Sequence, residues 1–382
     1  MTGEIPLARP DIGEREEALA LEVLRSGQLS LGPMLARFER DFASWLGVGD
    51  AVAVSSGTTA LHLGVRSIGW SRGDMVLTSP LSFVASANCL LYEDAQPVFC
   101  DVDPVTLNID PAAAEAAIGH RTAGLLPVHL FGYPADMTAL EALANRRRLA
   151  ILEDACEALG AVDGEGVRVG ARGNPATFAF YANKQMTTGE GGVLVPSGEA
   201  DAARARSERN QGRSECMAVL EHERLGFNYR LSDLQAALGV AQRERLDELL
   251  SRRAAVAARY SERLTAFGGA PAGEGDPDGL VLPCADAGAV RRGWFVYVVR
   301  LPQGADRSAV IEALAAEGIA SKAYLPCIHL QPFYRRRFGH REGQFPVAEE
   351  AASRSLALPF FTSMSEGEVE RVCAVLGAAL GR

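Results

Sequence analysis

Ala51-Val-Ala-Val-Ser-Ser-Gly-Thr-Thr-Ala-Leu-His-Leu-Gly64 reads as a short apolar strand that runs through a small polar turn into an amphipathic helix. The pattern recurs outward from there. From about residue 50 to 200, strands are predicted near 51–54, 75–78, 97–100, 123–128 and 149–153, with helices between them. Such alternation implies the α/β class: a mostly parallel central sheet covered on both faces. Two helical stretches, Glu14 to Arg25 and Met34 to Leu46, precede the first strand. After the alternation comes a long helical pattern, Ser232 to Phe267, ending at the linker-like Gly268-Gly-Ala-Pro-Ala-Gly-Glu-Gly-Asp-Pro-Asp-Gly279. A strand over Trp294 to Leu301 and a helix over Arg307 to Glu317 then open a smaller C-terminal α+β domain. The expected division is 1–250 and 251–382.

The turn in the opening stretch is also the first candidate site. Helix N-termini carry unpaired N–H groups and the positive end of the helix dipole, so Gly57, Thr58 and Thr59 form a candidate phosphate seat. Ordinary capping by Ser56 or Thr58 accounts for the same residues without a ligand. A second candidate is Asp154 in Ala150-Ile-Leu-Glu-Asp-Ala-Cys-Glu-Ala-Leu-Gly160, at the C-terminal end of a strand, where open α/β sheets bind ligands. A carboxylate there can pair with a protonated ring nitrogen; an N-cap for the next helix is the alternative.

The third candidate is Lys184. The 382-residue chain has two lysines among 38 basic residues, so arginine serves wherever a positive charge suffices. A retained lysine suggests what arginine cannot do: lose a proton and attack a carbonyl. An apolar run, Ala176 to Tyr181, leads into it and a glycine-rich turn, Gly189 to Gly192, follows. A surface lysine beside a hairpin fits the local sequence too. Taken together, a lysine, a phosphate seat and a strand-end aspartate are the three holds needed on pyridoxal 5'-phosphate.

Other stretches join these into one pattern, among them Thr78-Ser-Pro-Leu-Ser-Phe-Val-Ala-Ser-Ala-Asn88, Pro127-Val-His-Leu-Phe-Gly132, Asn183-Lys-Gln-Met-Thr-Thr-Gly-Glu-Gly-Gly192, Gly226-Phe-Asn-Tyr-Arg-Leu-Ser-Asp-Leu-Gln-Ala-Ala237 and His329-Leu-Gln-Pro-Phe-Tyr334. Nearly end to end, the chain resembles the DegT/DnrJ/EryC1/StrS aminotransferases, which act on keto groups of nucleotide-linked sugars and of cyclitols. The resemblance implies the type I aminotransferase fold and a homodimer with shared active sites. It implies that Lys184 anchors the cofactor and serves as general acid/base, and that Asp154 contacts the pyridine nitrogen. By the same likeness Thr58 and Thr59 contact the phosphate, Phe83 stacks on the ring, and Asn228, with Arg230 a second candidate, reaches the phosphate of the partner subunit. For Phe83, plain core packing is the alternative.

Two positions depart from the pattern. Ala179 stands five residues before the lysine where many relatives have a phosphate-binding serine, and Glu157 stands where some place Gln or His near the cofactor's phenolic oxygen. An ionised glutamate has no proton to donate. L-Glutamate is the expected amino donor and a nucleotide-linked keto-deoxysugar the expected acceptor; a cyclitol or other carbocyclic ketone, and a non-catalytic relative of regulatory or scaffold type, are the alternatives. Tyr324 and His329 are candidate substrate contacts, with packing an equal account of both. Arg335-Arg-Arg337 is a candidate for a substrate diphosphate.

Composition agrees with a soluble enzyme. A net charge of −10 argues against general nucleic-acid binding, and no apolar run approaches a membrane span. The N-terminus, Met1-Thr-Gly-Glu4, lacks a basic or apolar leader. Seven scattered cysteines, at 89, 100, 156, 216, 284, 327 and 373, form no Cys-x-x-Cys pair. They read as apolar thiols of a reducing cytoplasm, with no metal site expected.

Overall fold

The computed structural model describes residues 3–214 and 220–381; Cys216 therefore lies outside the described residues. Eight strands build the large sheet: β1 (Val52–Val54), β2 (Met75–Thr78), β3 (Gln96–Phe99), β4 (Thr122–Leu126), β5 (Ala150–Ile151), β6 (Glu153–Asp154), β7 (Ala176–Ala179) and β8 (Gly192–Val195). β5 and β6 are one strand interrupted at Leu152. The N–H groups of Leu152 and Asp154 still donate to the carbonyls of Leu125 and Pro127, so the segment joins the two halves of the sheet. The order is β3-β2-β4-β5/β6-β7-β8-β1. Every pairing among the first six is parallel, and β8 runs against both β7 and β1.

That exception has a local cause. Parallel neighbours need a long crossover, supplied elsewhere by helices, whereas β7 returns to β8 through residues 180–191 with no helix between them. The loop carrying Lys184 therefore stands at the C-terminal end of β7, beside the C-terminal ends of β6 and β1.

The helices follow their caps. Gly57–Ile68 starts at a reciprocal capping box between Ser56 and Thr59 and stops at Gly69, in the left-handed region at φ 88°. Pro33–Leu46 begins with proline in its first turn. The side chain of Asp233, some 200 residues away, accepts from the N–H groups of Gly32, Met34 and Leu35 at its start. The helical pattern over 232–267 divides into Asp233–Glu244 and Leu246–Ala266. Arg245, at φ −118°, breaks the helix and binds Asp11 and Glu16 with its guanidinium.

Beyond that break, the second sheet comprises β9 (Ala270–Pro271), β10 (Val281–Leu282), β11 (Tyr297–Arg300), β12 (Lys322–Ala323) and β13 (Ser355–Leu358), ordered β12-β13-β11-β10-β9. The segment read as linker-like thus supplies an edge strand. Helices Arg307–Ala316 and Glu366–Ala379 cover this sheet, with Leu314, Val372 and Leu376 buried in its core. Ile5 joins the same core, its N–H donating to Gly318 O and its carbonyl accepting from Ala320 N. Helix Leu246–Ala266 belongs to both units: Leu246 packs in the core under the large sheet, while Val256, Tyr260 and Leu264 pack in the other.

Candidate active site

Asp154 ends β6 and is 4 % exposed. One carboxylate oxygen accepts from Ser86 Oγ at 2.7 Å and the other from Cys156 N at 3.1 Å. Ser86 is in turn 2.7 Å from Ser82 Oγ. Ser82 precedes Phe83, a residue 59 % exposed beside the start of helix Ala85–Leu91. An acceptor-only carboxylate with about four lone-pair positions keeps capacity for a cationic partner beyond these two donors. The Cys156 thiol is pushed well up, by burial first and then by Asp154, and so stays neutral.

At the helix N-terminus both sequence readings hold at once. Ser56 Oγ accepts from Thr59 N, and Thr59 Oγ1 accepts from Ser56 N while donating to Ser56 O. The Thr59 hydroxyl is thus committed to its own helix. Among the described residues, no protein acceptor takes the N–H groups of Gly57 and Thr58. Those two donors, at the positive end of the helix, are what an anion needs. Gly57 is required there for space: a Cβ would come within 2.6 Å of Ala179 Cβ and 3.0 Å of Cys156 Sγ. The backbone of the seat therefore lies against the end of β7 and the turn that follows Asp154, and Ala179 borders it.

Lys184 sits in a turn closed by its own N–H to Tyr181 O at 3.0 Å. The rest of the loop is tied down by Thr188 N to Phe180 O, Phe180 N to Gly191 O and Gly189 at φ 78°. Its side chain is 12 % exposed and its amine lies between two groups. Nζ is 3.8 Å from the ring centroid of Phe295 and 3.9 Å from Glu157 Oε1. A cation over a ring face that is partly withdrawn from water gains on the order of 0.5–2 kcal/mol. The other oxygen of Glu157 accepts from Phe131 N at 2.9 Å. Burial raises the pKa of Glu157 above its ordinary value, against the opposing pull of Lys184 and the Phe131 N–H.

Gln185, next in the chain, donates through Nε2 to Glu157 O at 2.6 Å and to Gly293 O at 2.9 Å, binding the loop to the segment that carries Phe295. Tyr324 is close enough to Glu157 for that carboxyl to add to the rise in its phenol pKa, most of which comes from burial. Its ring centroid is 5.8 Å from that of Phe131.

The structure thus brings together Gly57, Thr58, Thr59, Asp154, Glu157 and Lys184, with Phe83 adjacent through Ser82 and Ser86, and Tyr324 reaching the Glu157 side. It leaves three expected residues elsewhere. His329 is 0 % exposed, 3.0 Å from Glu349 Oε1 through Nε2 and packed against Phe345, while its Nδ1 is buried without a hydrogen-bond partner among the described residues. Asn228 and Arg230 lie along the outer edge of β1, where Arg230 bridges Val54 and donates to Asn210. Asn228 is exposed there. Sequence reasoning missed Ser86, Gln185 and Phe295. The i, i+4 spacing of Ser82 and Ser86 was a usable signal; Phe295, 111 positions from the lysine it touches, carried none. Among the described residues, no cluster of His, Cys, Asp or Glu could hold a metal ion.

These residues fit pyridoxal 5'-phosphate: a partly buried amine, a buried strand-end carboxylate with spare acceptor capacity, and two free N–H groups in a cradle that a Cβ would fill. Sheet order, the single antiparallel strand and the site at the carboxyl ends of β1, β6 and β7 define the type I aminotransferase fold. The family model of the DegT/DnrJ/EryC1/StrS aminotransferase family matches residues 10–377, and the chain belongs to that family.

It is 38 % identical to the spore coat polysaccharide biosynthesis protein SpsC of Bacillus subtilis, over 96 % of this chain and 95 % of that one. It is 36 % identical to GDP-perosamine synthase of Caulobacter vibrioides, over 98 % of both. Among solved structures, DesV of S. venezuelae, in complex with a ketimine intermediate, superposes with a TM-score of 0.90 at 34 % identity, covering 100 % of both chains. 3-Amino-5-hydroxybenzoic acid synthase does so with a TM-score of 0.88 at 30 % identity, covering 99 % of both. Aminotransferases of this family depend on pyridoxal 5'-phosphate.

Proposed function

We propose that the protein uses pyridoxal 5'-phosphate to transfer an amino group from L-glutamate to the keto group of a nucleotide-linked keto-deoxysugar. The observation that carries this reading is the convergence of the Lys184 amine, the Asp154 carboxylate and the free N–H groups of Gly57 and Thr58 at one edge of the sheet. Gly57, Thr58, Phe83, Asp154 and Lys184 would hold the cofactor, with Thr59 fixing the turn through Ser56. When bound, it supplies an electrophilic carbon and a ring that accepts electrons from the substrate's C–H bond.

The protein's own part is binding, orientation and proton handling. The helix start would receive the phosphate dianion through the backbone donors of Gly57 and Thr58, which would compensate for the hydroxyl that Ala179 lacks. The Asp154 carboxyl group, held in place by Ser86 and the Cys156 N–H, would face the ring nitrogen. Lys184 Nζ would take the proton from the substrate carbon as general base and give it back as general acid, a role open to an amine that gains and loses its proton. Asn228 and Arg230, at the edge of β1, would complete the phosphate site of a second copy in a homodimer, and Tyr324 would border the acceptor sugar.

The similarity to GDP-perosamine synthase and SpsC supports a sugar acceptor. Absorption spectra before and after addition of L-glutamate, followed by nucleotide keto-sugars and carbocyclic ketones in parallel, test the reading. Conversion of the cofactor band by glutamate and its return with a nucleotide keto-sugar is expected. Return only with a carbocyclic ketone would overturn the acceptor assignment, and no response to glutamate would overturn the donor.

A further inference from the structure

The segment 292–295 is fastened from three directions. Gly293 N donates to Gly132 O at 2.9 Å, and Gln185 donates to Gly293 O. From helix Leu246–Ala266, Arg253 donates to Trp294 O at 2.7 Å and to Phe295 O at 2.6 Å. Arg253 is 2 % exposed and, among the described residues, no carboxylate pairs with it. Its guanidinium lies 4.8 Å from the Phe360 ring centroid. A buried arginine spent on two consecutive carbonyls is an expensive way to hold a strap unless the strap's position matters. What the strap carries is the ring face of Phe295, against Lys184 Nζ.

We propose that Phe295 and Arg253 are positioning residues for Lys184: the Phe295 ring and the Glu157 carboxylate form a berth that receives the amine whenever it is not bonded to cofactor, and Arg253 sets the ring at the right height. The inference rests on the reading of Lys184 as the reacting amine. The berth gives the released amine one place to stand, so its return needs no search through rotamers of a long side chain. Because Arg253 belongs to the helix shared by both cores, the second unit reaches the catalytic lysine through this strap.

The chain's two lysines make the test clean, since exposed Lys322 is an internal reference for Lys184. The full-length protein loaded with pyridoxamine 5'-phosphate, which leaves the lysine free, is treated with a trace of 1-fluoro-2,4-dinitrobenzene, and the labelled peptides are quantified by mass. The berth predicts that Phe295→Leu raises the Lys184-to-Lys322 labelling ratio by roughly threefold or more, because the amine loses the ring face that covers and holds it. Phe295→Tyr, which keeps the ring face, should retain the wild-type ratio. Arg253→Lys, which keeps the charge but cannot reach both carbonyls with a planar fork, should give a smaller rise in the same direction. An unchanged ratio in Phe295→Leu, or an equal rise in Phe295→Tyr, would overturn the proposal. The ratio is read whether or not the cofactor is retained; failure to retain the cofactor's absorbance in the wild type would instead count against the functional reading.

Discussion

The two sides of Lys184 are built differently. On one side, Asp154 and the Gly57–Thr59 turn stand at the carboxyl ends of strands of the large sheet, and each sits in a short stretch with its own pattern. On the other, Phe295 and Arg253 come from a strap and a helix far along the chain, with ordinary sequences around them. The first side supplies groups whose chemistry depends on residue type: a carboxylate, free N–H donors, an amine. The second supplies shape and a ring face, which many sequences could provide. Chemistry is therefore written locally, whereas positioning is written in the packing.

The comparison breaks most visibly at Lys184 itself. Lys184→Ala is expected to lower turnover by at least about 10³-fold, since anchor and proton carrier go together. A variant still turning over glutamate in a coupled assay would end the assignment. Asp154→Ala comes next: loss of the fixed charge should cost about 10²-fold in kcat, and it leaves Ser86 Oγ and Cys156 N without their acceptor. Steady-state rates with saturating cofactor measure it; a near-normal kcat would make Asp154 an ordinary cap.

Gly57→Ala sharpens the comparison by attacking shape on the side defined by chemistry. A Cβ 2.6 Å from Ala179 Cβ forces a shift that should cost about 1–3 kcal/mol of stability and weaken cofactor retention more than glutamate binding. Thermal melts and fluorescence titration with cofactor read the two effects, and an unaltered cofactor affinity would remove the seat.

The smallest effect concerns Glu157, whose pKa is raised above its ordinary value by burial. A carboxyl with a raised folded pKa contributes stability that is fully present below its unfolded pKa and is lost as pH rises through the folded one. Glu157→Gln removes that loss. Its Tm relative to wild type should therefore climb as pH rises from 4 through the neutral range. A difference that stays flat or falls would show that Lys184 and the Phe131 N–H outweigh the burial.

Much of this was legible in advance because periodicity and caps are local. The strands predicted near 51–54 and 75–78 appear as Val52–Val54 and Met75–Thr78, and the lysine does stand on a turned loop. The break at Arg245 was not legible: the helical pattern continues through it, and only the acids Asp11 and Glu16, arriving from the N-terminus, favour the interruption. The surroundings of His329 were illegible for a related reason. Its flanking sequence matches the family pattern, but its burial against Phe345 and Glu349 is a tertiary outcome. The free N–H groups at Gly57 and Thr58 were foreseeable from the turn, whereas the commitment of the Thr59 hydroxyl to Ser56 needed coordinates.

Lys184 is the residue proposed to attach the cofactor, and the presence of two lysines makes its test nearly binary. The purified protein would be reconstituted with pyridoxal 5'-phosphate, reduced with sodium borohydride, digested and mapped by mass. A pyridoxyl adduct is expected on the peptide containing Lys184 and none on that containing Lys322. An adduct on Lys322, or none on either, would contradict it.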